Sequence, residues 1–356
     1  MKILHTADWH LDSPMTGLGE ENARMLRQKM LKLPEKIVNL CLAENCDMLL
    51  IAGDLFDGPY TKQTMTVLYS ALCKLHIPVI IAPGNHDFCS PDSPYEKEQW
   101  PENVHIFTKS KITSLPFPEL DCIIYGAGYE GMDCPGLLKD FHADGQAQWQ
   151  IGILHGDAGN PASPYCPVSR GQLQNSGLQY LAMGHVHKLG SLRAGNCICA
   201  WPGCPMGRGF DELGPKGVIL VDFSQEIKAS FVPLDGPCFY DEDVEAGQDP
   251  AVSLAAMLPA MDSSDFYRVT LTGYSSPLDL EALRAQFPHI PHLWLQDATV
   301  PEVDLWSSIN DDTLEGVYFS LLKQAAESGS EVLSDRANLA ARISRKILDG
   351  QEVKLP

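Results

Sequence analysis

Asp47-Met48-Leu49-Leu50-Ile51-Ala52-Gly53-Asp54 is the stretch whose reading decides the fold. Its apolar run has no polar alternation, so the strand it forms must be covered on both faces, as in a sheet layered with helices. It ends on a glycine, which permits a sharp turn, and on a carboxylate. Outward from it the pattern repeats. Lys2–Thr6 reads as a short apolar strand upstream, and 78–82 as another downstream. Residues 21–44 carry Leu26, Met30, Leu33, Ile37 and Cys41 at steps of three or four, which predicts a helix, with Pro34 kinking it or opening a second one. Residues 61–75 predict a further helix. This β-α-β-α-β order implies a buried sheet with helices on its faces.

More strands are predicted at 121–125, 150–154, 178–183, 197–201, 217–223 and 227–232. The later ones are closely spaced and joined by short turns, which points to a second, mixed or antiparallel sheet. Between 235 and 250, Gly236-Pro237, four acids within 241–245, and Asp249-Pro250 mark a domain boundary. After it come a strand at 266–271, a helix over 277–287 capped by Ser276 with Pro277 at its first position, a strand at 292–295, and helices near 311–328 and 333–349. Leu314, Val317, Leu321 and Leu322 share one face of the first of these final helices, and Leu339, Ile343 and Ile347 one face of the second. Those stripes serve packing within the domain or docking of a partner helix. The fold class expected is α/β, with α+β character.

The chain of 356 residues has room for two domains. Its 44% apolar and 20% charged residues exclude disordered, collagen-like and coiled-coil classes. No run approaches the ~18 apolar residues of a membrane helix. Met1-Lys2-Ile3-Leu4-His5 enters a strand directly, without a signal-peptide pattern, so a cytoplasmic protein is expected. The eleven cysteines include no C-x-x-C pair and read as small buried apolar residues of a reducing compartment. Net charge is −20: 26 acids and 18 bases up to residue 239, then 20 acids and eight bases. Neither part has the basic footprint of a free-standing DNA-binding protein, so a phosphate substrate has to be drawn in locally, by metal ions or by a partner's surface.

Five short clusters each follow a predicted strand: Asp8-Trp9-His10, Gly53-Asp54, Gly84-Asn85-His86-Asp87, His155-Gly156-Asp157 and Gly184-His185-Val186-His187. Singly, each is more often a turn or a cap. Together, at the carboxyl ends of strands in a layered α/β fold, they point into one crevice. Carboxylate, imidazole and amide oxygen are donors that divalent ions such as manganese and iron accept. Asp8, His10, Asp54, Asn85, His155, His185 and His187 make seven, too many for one ion and suited to two with Asp54 as the shared bridge. Two such ions ~3.5–4 Å apart suit in-line displacement at phosphorus. His86 is left over, able to protonate a leaving oxygen or steady the phosphate. Arg208 is a candidate phosphate contact or the ion-pair partner of Asp211 or Glu212.

These clusters resemble those of the calcineurin-like metallophosphoesterase superfamily, which implies a β-sandwich flanked by helices. Within it, His5-Thr6-Ala7-Asp8-Trp9-His10-Leu11-Asp12-Ser13-Pro14, Gly53-Asp54-Leu55-Phe56-Asp57, and Trp201-Pro202-Gly203 through Gly207-Arg208 and Lys216-Gly217 are most similar to bacterial SbcD/YhaO-type DNA-repair exonuclease subunits. The resemblance implies one metal on Asp8, His10, Asp54 and His187, and the other on Asp54, Asn85, His155 and His185. It implies a catalytic, non-ligand His86, with Asp87 orienting His86 or the turn. It further implies manganese (with iron, magnesium or zinc as alternatives), DNA phosphodiesters as substrate, an SMC-like ATPase of SbcC type as partner, and homodimerisation. The division expected is 1–238 as the phosphoesterase domain, 239–300 as a capping domain and 301–356 as a helical segment. Exonucleases of this kind carry a histidine after Gly-Asp-Leu-Phe, associated with positioning DNA. Asp57 stands there, which makes it a candidate substrate-binding residue and argues against processive duplex degradation. The alternatives are a metallophosphoesterase of nucleotides or other small phosphoesters, and a non-catalytic subunit of an ATPase complex.

Overall fold

The apolar run Met48–Ile51 lies at the middle of a sheet, as its lack of polar alternation requires. A computed structural model describes residues 1–224, 226–301, 304–328 and 331–350. The chain divides into two units, Met1–Asp241 with Ser264–Arg268, and Glu242–Ser263 with Val269–Pro356.

The first unit holds two six-stranded sheets. In one, Lys2–Thr6, Met48–Ile51, Val79–Ile81 and Val104–Ile106 run parallel. In the other, Cys122–Gly126, Trp149–His155, Tyr180–Gly184 and Cys197–Trp201 run parallel, edged by antiparallel Thr113–Phe117 and Gly190–Ala194. Alternate residues of both sheets meet in one core: Ile3, Met48, Leu50 and Ile80 from the first, Ile124, Ile151, Ile153 and Tyr180 from the second. Sheets packed face to face in this way form a sandwich. The opposite side chains of the second sheet, among them Leu154, Leu181 and Met183, are covered by Cys134, Leu138, Cys166 and Leu173.

The strands read at 217–223 and 227–232 do not join the second sheet. Gly217–Asp222 pairs antiparallel with Lys2–Thr6, with Lys2 opposite Asp222, and Lys228–Pro233 pairs with Gly217–Asp222. That return covers an edge of Lys2–Thr6 that would otherwise present unpaired backbone groups. Pro34 opens a second helix: Glu20–Met30 ends before Leu33–Ala43 begins, with the proline in its first turn. Thr61 caps Lys62–Leu72 by accepting from the Thr64 amide at 3.1 Å.

In the second unit, the helix expected to start at Pro277 is Leu280–Arg284, and its cap is Asp279, which accepts from the Ala282 amide at 3.0 Å. Ser276 is too early to cap because Tyr274–Ser275 pairs with Val300–Pro301 just before it. Leu314–Ala326 packs on Glu331–Leu348 through an Arg345–Glu315 ion pair and Arg345 over the Phe319 ring. Leu314 is 88% exposed, and Val317, Leu321, Leu339 and Ile347 are also exposed. Among the described residues no helix is long and apolar enough to cross a membrane.

Candidate metal centre

Every donor predicted from the sequence sits at or just past the carboxyl end of a central strand. Asp8 and His10 follow Lys2–Thr6, Asp54 follows Met48–Ile51, and Asn85 follows Val79–Ile81. His155 ends Trp149–His155, while His185 and His187 follow Tyr180–Gly184. The turns are sharp. Asp8, His10, Asp54 and His185 have φ of 53°, 46°, 49° and 86°, in the left-handed region that aspartate and histidine enter more readily than most residues. Each such residue stores roughly 1–3 kcal/mol. The packed sheets hold them there: the Asp8 amide donates to Gly53 O at 3.0 Å and the His10 amide to Asp54 O at 2.9 Å. The accompanying glycines leave room for side chains. A Cβ at Gly84 would fall on the Asp54 carboxylate, and one at Gly53 on the His155 ring.

The donors converge. Ligand atoms of Asp8, His10, Asp54 and His187 all lie within 4.8 Å of one another. Asp54 also reaches across, its Oδ2 3.2 Å from His155 Nε2. Asn85 Oδ1 then lies 3.1 Å from His155 Nε2 and 3.2 Å from His185 Nδ1. Two nests of donors thus adjoin, with Asp54 between them. Their chemistry fits divalent cations. Asp8 Oδ2 is buried with no hydrogen-bond partner, a costly state unless a cation meets it. His10 Nε2 and His187 Nε2 face each other at 3.1 Å. Their outer nitrogens are held by carboxylates, His10 Nδ1 by Asp57 at 3.2 Å and His187 Nδ1 by Glu212 at 2.8 Å. His155 Nδ1 is held by Ala52 O at 2.9 Å. A proton fixed on the outer nitrogen leaves the inner one free to bind metal.

The electrostatics agree. Burial pushes the Asp8 carboxyl above its ordinary pKa. Burial pushes Asp54 upward too, but His155 and His10 outweigh it and hold the carboxyl well below the usual range. Burial opposes charge on His155, yet Asp54 and Asp8 together raise it to about 9.

His86 is a different kind of residue. Its side chain is 46% exposed and its Nδ1 lies 2.9 Å from Asp57 Oδ1, a bond that raises its pKa. Its backbone amide donates to Asp54 Oδ1 at 3.0 Å. Asp57 therefore grips His86 and His10, and the structure places it on imidazoles of the site itself. Asp87 belongs to the turn beside His86. It accepts from the amides of Gly84, Leu55 and Phe56 and from the Tyr95 hydroxyl, and so fixes the turn. Arg208 forks onto Glu212, with Nε and an Nη 3.1 and 2.6 Å from Oε1. The ion pair with Glu212 expected from the sequence is formed. Glu212 as the partner of His187, Tyr95 as the support of Asp87, and Tyr165, tilted over His185 at 4.6 Å, carry no local motif. The Arg208-to-Glu212 spacing of four was the one available signal.

The profile of the calcineurin-like phosphoesterases matches residues 1–189. The chain belongs to that family. The family is dimetal-dependent, and the nest of Asp8, His10, Asp54 and His187 is one candidate metal-binding cluster among the described residues; His10, Asp57 and His86 form another such group. An uncharacterized metallophosphoesterase, YhaO of Bacillus subtilis (strain 168), is 30% identical over 237 residues, 62% of this chain and 57% of that protein. The chain thus spans less than two thirds of that relative's length. Among solved structures, a dimetal phosphatase from Danio rerio overlaps with a TM-score of 0.43 at 11% identity, over 65% of this chain and 98% of that one. An archaeal phosphodiesterase overlaps with a TM-score of 0.35 at 14% identity, over 66% of this chain and all of the other.

Proposed function

We propose that the protein is a two-metal phosphodiesterase that cuts DNA, as a repair-type nuclease subunit working beside an SMC-like ATPase, and that a homodimer is its working form. The observation that carries the reaction class is the pair of adjoining donor nests sharing Asp54. Divalent cations, held by Asp8, His10, Asp54 and His187 and by Asp54, Asn85, His155 and His185, would supply an activated water and charge neutralisation at phosphorus. The mixed oxygen and nitrogen donors suit manganese, with iron, magnesium and zinc as alternatives. His86, half exposed and held by Asp57, would protonate the departing sugar oxygen. The motif from His5 to Pro14 supports the nuclease reading over other phosphoesterases, and the likeness to YhaO supports the metallophosphoesterase class. The eleven free cysteines support a reducing, cytoplasmic setting.

A second reading, hydrolysis of a nucleotide or another small phosphoester, is favoured by the net charge of −20, because polyanion binding draws on lysine and arginine. The manganese-loaded protein, assayed on labelled single-stranded or nicked DNA, bis-p-nitrophenyl phosphate and a phosphomonoester, separates them. DNA and diester cleavage is expected. A strict monoesterase overturns the nuclease reading.

A further inference from the structure

We infer that Glu212 is a positioning residue that fixes the tautomer of His187 against competition from Arg208. The inference rests on the two-metal reading above and concerns how one donor is kept able to bind. Glu212 is 2% exposed, and both its carboxylate oxygens are used. Oε2 accepts from the Arg208 amide at 2.8 Å, and Oε1 from the Arg208 guanidinium at 2.6 Å. Oε1 also lies 2.8 Å from His187 Nδ1.

The same guanidinium nitrogen, Nη2, stands 3.3 Å from His187 Nδ1. Two arrangements therefore compete. If Nδ1 carries the proton, it donates to Glu212, and Nε2 turns a lone pair toward Asp8, His10 and Asp54. If Nδ1 accepts from Arg208, the proton moves to Nε2 and faces the cation position, where it blocks ligation. The shorter, charge-assisted bond to the carboxylate favours the first arrangement. Arg208 is a guanidinium 15% exposed and spent between Glu212 and Asp57, whose Oδ2 is 3.7 Å from Nη1. It is a strut of the site. Without Glu212, it becomes the donor that spoils His187.

Three proteins test this: wild type, Glu212→Gln, and Glu212→Gln combined with Arg208→Met. Each is stripped of metal, titrated with Mn2+ by calorimetry, and examined by 15N NMR of labelled histidine. Wild type is expected to take two ions, with His187 protonated on Nδ1. Glu212→Gln should weaken one binding step by about 10–100-fold, leave the other unchanged, and shift the His187 proton toward Nε2. Removing Arg208 as well should restore most of that affinity, an effect that a merely structural role for Glu212 would not produce. Equal affinity in wild type and Glu212→Gln overturns the inference, as does a folded double variant no better than the single one. If Glu212→Gln fails to fold, the double variant decides alone: affinity within a few-fold of wild type supports the inference, and a lost step overturns it. Wild-type protein that takes up no divalent cation would remove the two-metal reading itself, and the inference with it.

Discussion

The central strands of the first unit bury Ile3, Met48, Leu50, Ile80 and Ile153 completely, whereas the helix pair of the second unit leaves Leu314, Val317, Leu321 and Ile347 open to solvent. The charge differs as well, with 20 acids against eight bases after residue 239. The contrast follows from what each region has to hold. Donors drawn from five separate segments need a frame stiff enough to keep them within a few tenths of an ångström of their places. Parallel strands packed on both faces supply that stiffness and also tolerate four left-handed residues at their ends. The final helices position none of the predicted donors and can present apolar side chains outward.

The sharpest way to break this contrast is at His86. His86→Ala should lower turnover of bis-p-nitrophenyl phosphate by about 10²–10⁴-fold, the range for a general acid. Metal content should stay at the wild-type level, because the His86 side chain is held by Asp57. Loss of both ions in the variant would make His86 a ligand and merge the two roles separated above.

Next in size is the frame itself. Leu50 is fully buried in the core between the sheets. Leu50→Ala should cost about 2–5 kcal/mol in denaturant unfolding of the metal-free protein, through lost burial and the cavity left behind. A cost under about 1 kcal/mol would show that the sandwich repacks freely, and rigidity could not then explain the strained turns.

The donors were legible because each stands in a short string, such as Gly84-Asn85-His86-Asp87 or Gly184-His185-Val186-His187, directly after an apolar run. Local order carries that signal. The return of Gly217–Asp222 to Lys2–Thr6 was not legible, since it joins residues more than 200 positions apart and leaves no local trace. Glu212 was hidden for a related reason: its spacing to Arg208 is visible, but its bond to His187 arises only when two loops meet. The resemblance sets Asp57 against a histidine and so gives no sign of its bonds to the His10 and His86 imidazoles, which only the fold brings together. In the second unit, Ser276-Pro277 looks like a helix start, yet strand pairing at Tyr274–Ser275 overrides the local preference and moves the cap to Asp279.

A pH titration sharpens the contrast further. In the metal-free protein, His155 has its pKa raised to about 9 from an ordinary 6.5. A histidine whose folded pKa is raised contributes stability that is fully present below the unfolded value and is lost as pH climbs through the folded one. Thermal stability of the chelated protein should therefore fall between about pH 6.5 and 9. Saturating divalent metal should flatten that slope, because the cation takes the place of the proton. A slope unchanged by metal would mean that His155 is not among the groups the cation meets.

The smallest effect belongs to the open helix face. Leu314 is 88% exposed and Leu321 60%, so exchanging both for glutamine removes little buried apolar surface. Surface changes of this kind stay within about 0.5 kcal/mol each, and leucine and glutamine have similar helix propensities. The double variant Leu314→Gln/Leu321→Gln should unfold at nearly the wild-type denaturant midpoint, in contrast to Leu50→Ala. A loss of 2 kcal/mol or more would mean that the face is covered in solution. Stability of the wild type would then rise with protein concentration if a second copy supplies the cover, since association stabilises by mass action. With no dependence on concentration, the cover would have to come from the same chain, and the difference between the two units would narrow to one of charge alone.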